Sequence, residues 1–174
     1  SVYLSKSYAH PPINDISLFT GQKSCIEIKK PRISFIWRSD RPWMNNIYVV
    51  YIFKRLKALS ILNYLQYLKI LFLFILLKIS HKEYQFTVAG FSKDFTFPRW
   101  IIDKRTNIFS KKTEKDLCKV YAESKVIIGV HGSNMLLPSA HAEMILDLMP
   151  DDRLGNFAQD IIYETKRSSD FRIR

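Results

Sequence analysis

Between residues 31 and 149 the chain alternates short apolar runs with longer stretches of helical period. RISFIWR (32–38) is a compact β-branched and aromatic run closed off by Pro31 and Pro42, which predicts a strand. YQFTVAGF (84–91), KVIIGV (125–130) and EMILDLM (143–149) predict three more. Residues 46–79 read as helix in two pieces, with a break near Ala58–Ser60. TEKDLCKVYAES (113–124) sets Leu117, Val120 and Tyr121 on one face, with acids in its first turn and Thr113 as the expected N-cap. LLPSAHA opens another helix, and GNFAQDIIYETKR (155–167) a last one. A polar segment containing Pro98 follows Phe91, and a short strand is expected at Thr106–Phe109. Residues 1–30 hold no sustained period and are broken by Pro11-Pro12 and Gly21, so an irregular segment, or the remnant of a preceding domain, is expected there.

Apolar strands alternating with helices predict an α/β domain over residues 31–174: a Rossmann-like parallel sheet with helices on both faces. Ligands of such folds bind beyond the carboxyl ends of the strands. Three strand ends are then expected around one crevice: Arg38-Ser39-Asp40-Arg41, Gly90-Phe91-Ser92-Lys93 and His131-Gly132-Ser133-Asn134.

Composition fits one domain with a real core, since 47% of the 174 residues are hydrophobic. The net charge of +11 is uneven. Residues 31–120 carry seventeen basic and six acidic side chains, whereas residues 121–174 carry six and eight. A central cationic excess points to a phosphate-bearing ligand, nucleic acid or an anionic membrane surface. Cys25 and Cys118 belong to no CxxC or Cys/His cluster, which argues against a zinc site or a disulfide framework. A reducing, cytoplasmic setting is the expectation, with peripheral contact at the cytoplasmic face of a membrane. The chain starts at Ser1 rather than Met, as a fragment or processed product would, and its first residues lack the apolar core of a secretory signal.

LSILNYLQYLKILFLFILLKI (59–79) is the membrane candidate. Lys69 at its middle costs about 2.5–3.5 kcal/mol on insertion scales, which argues against a span. A buried or membrane-surface helix is expected instead, with Lys54, Arg55, Lys57, Lys69 and Lys78 meeting acidic headgroups.

The segment VIIGVHGSNML (126–136) carries the candidate chemistry. A strand running into His-Gly-Ser-Asn and then a helix offers backbone N–H groups to an anion, and Gly132 lets the backbone approach closely. Ser133 and Asn134 could cap the helix or donate to phosphate; His131 could donate to a diphosphate or a sugar hydroxyl. A tight turn with a satisfied histidine is the simpler alternative. The loop lacks GK[ST] and is not GxGxxG. Arg38 and Arg41 could clamp a phosphate, or pair with Asp40 at the surface. In DLMPDDR, which ends at Arg153, the carboxylates of Asp147, Asp151 and Asp152 could accept from sugar hydroxyls or act as a general base, and Asp151 or Asp152 could cap a helix; no metal site is expected from them. His141 reads as a helix-packing residue, and His10 and His81 carry no signal.

KVIIGVHGSNMLLPSAHAEMILDLMPDDR resembles the donor-side half of glycosyltransferases of the two-Rossmann GT-B architecture, in particular the family-61-like group. Gly129, Val130, His131 and Gly132 match that group's G-V-H-G, while Ser133, Asn134 and Met135 stand where it has Ala, Gly and Leu. Asp147 falls at its acidic position, and ISFIWRSDR resembles its first strand and basic loop. The resemblance spans about residues 32–165 and is specific in 125–153. It implies transfer from a nucleotide-diphosphate sugar to a carbohydrate or lipid-linked glycan acceptor, without an obligatory metal or other cofactor. It implies candidate catalytic residues His131, Arg38 and Asp151. The implied donor-binding set is Arg38, Arg41, Gly129, His131, Gly132, Ser133, Asn134, Met135, Asp147, Asp152 and Arg153. The acceptor-binding half would be missing or supplied separately. Two other readings fit the sequence: a polysaccharide pyruvyl transferase-like enzyme, and a non-enzymatic basic domain that binds membrane or nucleic acid. Against nucleic acid, no recognition motif appears and the basic residues lie within very apolar helices.

Overall fold

The computed structural model describes residues 20–21, 29–44 and 46–150. They form a five-stranded, wholly parallel sheet covered by helices. In chain order the elements are β1 (Arg32–Trp37), α1 (Ile47–Arg55), α2 (Leu59–Ser80), β2 (Gln85–Phe91), β3 (Ile101–Thr106), α3 (Lys111–Ala122), β4 (Ser124–Val130), α4 (Leu136–His141) and β5 (Met144–Leu148). A 3-10 turn, Ser133–Met135, precedes α4. The strand order β3-β2-β1-β4-β5 reverses direction between β1 and β4. This is the expected Rossmann-like α/β arrangement.

Strand alternation splits the core into two layers. Ile33, Phe35 and Trp37 of β1 join Phe86, Val88 and Ile128 beneath α2, which contributes Ile70 and Phe74. Ile36, Ala89 and Ile127 face the other way, against Leu117, Val120 and Tyr121 of α3 and Ile145 of β5. Helices therefore lie on both faces. The α2 layer is rich in aromatic pairs, such as Phe74–Phe86 with ring centroids 5.0 Å apart.

The break between α1 and α2 lies at Leu56–Ala58, where the chain reverses through a Schellman motif. Lys57 takes a left-handed conformation (φ 55°), its N–H reaches the Lys54 carbonyl, and the Ala58 N–H reaches that of Phe53. The N-cap of α3 is Ser110 rather than Thr113. Ser110 is extended and its Oγ accepts from the Thr113 backbone N–H at 3.1 Å, so the cap lies three residues earlier than expected. Lys111 and Lys112, exposed in its first turn, hide that start from an apolar pattern.

The edge strand β3 also differs from expectation: it occupies Ile101–Thr106, not Thr106–Phe109. Its two buried residues are Ile101, which joins the α2 layer, and an arginine. The Arg105 guanidinium lies between the rings of Trp37 and Phe97, 4.8 and 4.7 Å from their centroids. Asp103 holds it through Nε and Nη2, and Nη2 also donates to the Phe95 carbonyl. With Asp103, Lys104 and the buried Arg105 after Ile101 and Ile102, the strand has no apolar alternation to read.

The N-terminal segment lies mostly, and the expected last helix wholly, outside the described residues.

Candidate functional site at the strand reversal

β1 and β4 pair in parallel up to Ile36 and Gly129 and then diverge, which opens the sheet's carboxyl edge where the strand order reverses. The β1 loop (Arg38 to Arg41) and the β4 loop (His131 to Asn134) meet there. Arg38 Nη1 donates to Asn134 Oδ1 at 2.6 Å, and Arg41 Nη1 donates to the His131 carbonyl at 3.3 Å.

The β1 loop is held from below by α2. Gln66, fully buried, accepts from the Trp43 N–H at 2.7 Å through Oε1 and donates to the Arg38 carbonyl at 3.0 Å through Nε2. Lys69 Nζ donates to the Trp43 carbonyl at 3.2 Å and sits 5.5 Å from the Trp43 ring centroid. Neither residue was expected to serve the site. Gln66 stands one turn from both Leu62 and Ile70 on the buried stripe, and that mismatch of polarity and position is its sequence signal. Lys69 is thereby turned inward rather than toward headgroups, and Lys78 lies over the Trp100 ring at 4.3 Å.

The β4 loop is tied to β5 at two points. The His131 N–H donates to the Leu148 carbonyl at 3.0 Å, and the His131 ring meets Asp147 Oδ2 at 2.7 Å through Nδ1. Gly132 has φ 152° and ψ 179°, a conformation reserved almost wholly for glycine. A Cβ there would also lie 2.5 Å from Arg38 Nη1. Gly132 thus permits the approach of the two loops.

The expected residues divide into three groups. Arg38, Arg41, His131, Gly132, Ser133, Asn134 and Asp147 lie together at the β1/β4 edge. Gly129 and Met135 sit beneath it: Met135 is buried, and its sulfur fills the space that a Cβ on Gly129 would need. They pack one another and leave no side-chain surface for a ligand. Asp151, Asp152 and Arg153 lie outside the described residues.

Arg38 is already engaged. Its Nε and Nη2 donate to the two carboxylate oxygens of Asp40, at 3.0 and 2.6 Å. That hydrogen-bonded ion pair holds the Asp40 carboxyl below its usual range despite partial burial. The Asp40 side chain is 66% exposed, whereas that of Arg38 is only 14% exposed. Two buried polar atoms beside these contacts have no partner: Asn134 Nδ2 and Asp147 Oδ1.

A cleft of about 300 Å³ opens beside the loops, on the α3 side of the sheet. Arg38, Asp40, Ser133 and Asn134 line one end, and Leu117 and Tyr121 of α3 are also among its lining residues. Gly90 also lines it; its φ of 122° and the 2.5 Å at which a Cβ would stand from the Trp37 carbonyl oxygen require glycine there. Phe91 and Phe109, both exposed, pair with ring centroids 5.4 Å apart and line it too, as does Glu114. Cys118 lies behind the cleft in the α3 core, its thiol pushed up to about 11 by burial and by Glu114, as for an inert packing residue. Among the described residues no group of three or more His, Cys, Asp or Glu is placed to hold a metal ion. Comparison of the chain with protein-family models, with curated proteins and with solved structures gives no match.

Proposed function

We propose that this chain is the donor-binding half of a glycosyltransferase and holds the diphosphate of a nucleotide sugar between the β1 and β4 loops. The observation that carries this reading is the meeting of Arg38 and Arg41 with the Gly132 loop at the strand reversal, where doubly wound sheets bind their ligands. On binding, the diphosphate displaces Asp40 from the Arg38 fork and takes the unpartnered Asn134 Nδ2 as a further donor. The guanidinium groups then stabilise charge that grows on the departing nucleotide diphosphate as the glycosidic bond breaks. His131 and Asp147 act as supports that keep the loop in register with β5. Phe91 and Phe109 offer their rings as a stacking platform for the base.

Isothermal titration with UDP and GDP tests the reading. Binding is expected to weaken about tenfold or more in Arg38→Ala, a loss of about 1.4 kcal/mol. No binding at millimolar nucleotide, or binding unchanged by Arg38→Ala and His131→Ala, overturns it. Binding of phosphoenolpyruvate in place of nucleotides would favour a pyruvyl transferase instead.

A further inference from the structure

Twelve of the seventeen large apolar side chains that are exposed among the described residues belong to one segment, Tyr48 to Ile79. On α2 they form a continuous strip. Ile61, Leu65, Leu68, Phe72, Ile75 and Ile79 recur at three- and four-residue spacing on the side opposite the buried Leu62, Gln66, Ile70 and Phe74. Phe72 is 62% and Ile79 66% exposed. The strip runs about 27 Å along the helix at 1.5 Å per residue. On α1, Tyr48, Tyr51 and Ile52 share a face with Arg55. A helix that met only water would carry polar groups there.

Charge decides what covers this surface. Residues 41–82 contain seven basic residues and no acidic one. Lys69 is withdrawn to the Trp43 carbonyl, so the strip itself carries no charge. Lys54, Arg55 and Lys57 are exposed at its α1 end, and Lys82 is exposed just past its other end. A second copy would bring an excess of cations with only the exposed Glu83, beside Lys82, to meet them, whereas an anionic bilayer meets both the apolar strip and its flanking charges. A span is opposed by the inner face of α2, whose Ile70 and Phe74 are wholly buried against the sheet.

We propose that the outer faces of α1 and α2 form a docking surface for an anionic membrane. α2 lies in the plane of the headgroups, with its apolar strip in the acyl boundary and Lys54, Arg55, Lys57 and Lys82 on the lipid phosphates. This surface is separate from the β1/β4 loops and stands whether or not they bind nucleotide.

Flotation of the full chain with vesicles tests it. Binding to phosphatidylcholine–phosphatidylserine vesicles is expected to exceed binding to phosphatidylcholine alone by about tenfold or more, and to fall as salt is raised. Leu68→Ser/Phe72→Ser/Ile75→Ser is expected to abolish binding with the thermal unfolding midpoint retained. Should that variant fail to fold, Lys54→Glu/Arg55→Glu/Lys57→Glu leaves the apolar strip intact and is expected to remove the preference for phosphatidylserine. Alkaline carbonate should release the bound chain. Equal binding to both vesicle types, retention through carbonate, or a dimer without vesicle binding that the serine variant dissolves would each overturn the proposal.

Discussion

The helices α2 and α3 cover opposite faces of one sheet and follow opposite plans. α3 is amphipathic: Leu117, Val120 and Tyr121 point inward, while Lys111, Lys112, Lys115, Asp116 and Lys119 meet water. Ser110 caps it and Glu114 lies in its first turn. α2 has no side-chain cap and no acid in its first turn. Its eleven exposed positions hold eight apolar side chains, Lys78 and two serines. Apolar character in α3 thus marks one buried face. In α2 it marks two faces that serve different purposes: one belongs to the core, and the other has no cover within the described residues. A high apolar content does not tell how much of a helix the fold itself buries.

The two faces of α2 can be separated by paired substitutions. Phe74→Ala removes a wholly buried ring from the aromatic layer and is expected to cost about 4 kcal/mol in urea unfolding. Phe72→Ser, two residues away on the outer face, is expected to leave stability within about 0.5 kcal/mol while weakening vesicle binding. Similar costs at both positions would show that the outer face is packed after all.

The α2 layer has a second dependence that the α3 layer lacks: the Arg105–Asp103 pair at the edge strand. Burial works to raise the Asp103 carboxyl, but the hydrogen bonds and charge of Arg105 outweigh it and hold the group below its ordinary 3.8. A depressed value in the folded state means the stabilisation is fully present above pH 3.8 and is lost as pH falls through the lowered value. The near-UV circular dichroism of the tryptophans of this layer, Trp37, Trp43 and Trp100, is therefore expected to fade on acidification below about pH 4. Asp103→Asn should remove that acid dependence and cost about 3 kcal/mol at neutral pH, because it strips a buried guanidinium of its counter-charge. An acid transition unchanged in Asp103→Asn would assign it to other carboxylates.

The smallest expected effect concerns the α3 cap. Ser110→Ala should cost about 1 kcal/mol, and Thr113→Ala clearly less, because Ser110 Oγ holds the first-turn N–H. Equal losses would return the cap to Thr113.

The site was legible in part. Gly132 stood out as a position where a loop needs close approach, and the fold gives it φ 152° beside Arg38. The two arginines after β1 were also visible, but Asp40 and Asn134 as partners of Arg38 were not separable from a ligand by sequence. Gly129 and Met135 read as loop chemistry because they adjoin His131 in sequence. The fold sends the Met135 side chain back under β4, where only the absence of a Cβ on Gly129 makes room.

The pattern of the chain by itself determined the α/β class, the four apolar strands β1, β2, β4 and β5, and the pair of helices between the first two. Those features follow from short-range periodicity, which each segment carries alone. Only the tertiary structure decided what depends on partners distant in sequence. It buried Arg105 between two aromatic rings and so made an edge strand of a charged stretch. It turned Lys69 and Gln66 inward to hold the β1 loop. It also chose which apolar side of α2 meets the sheet, a choice that a helix apolar on both sides cannot encode locally.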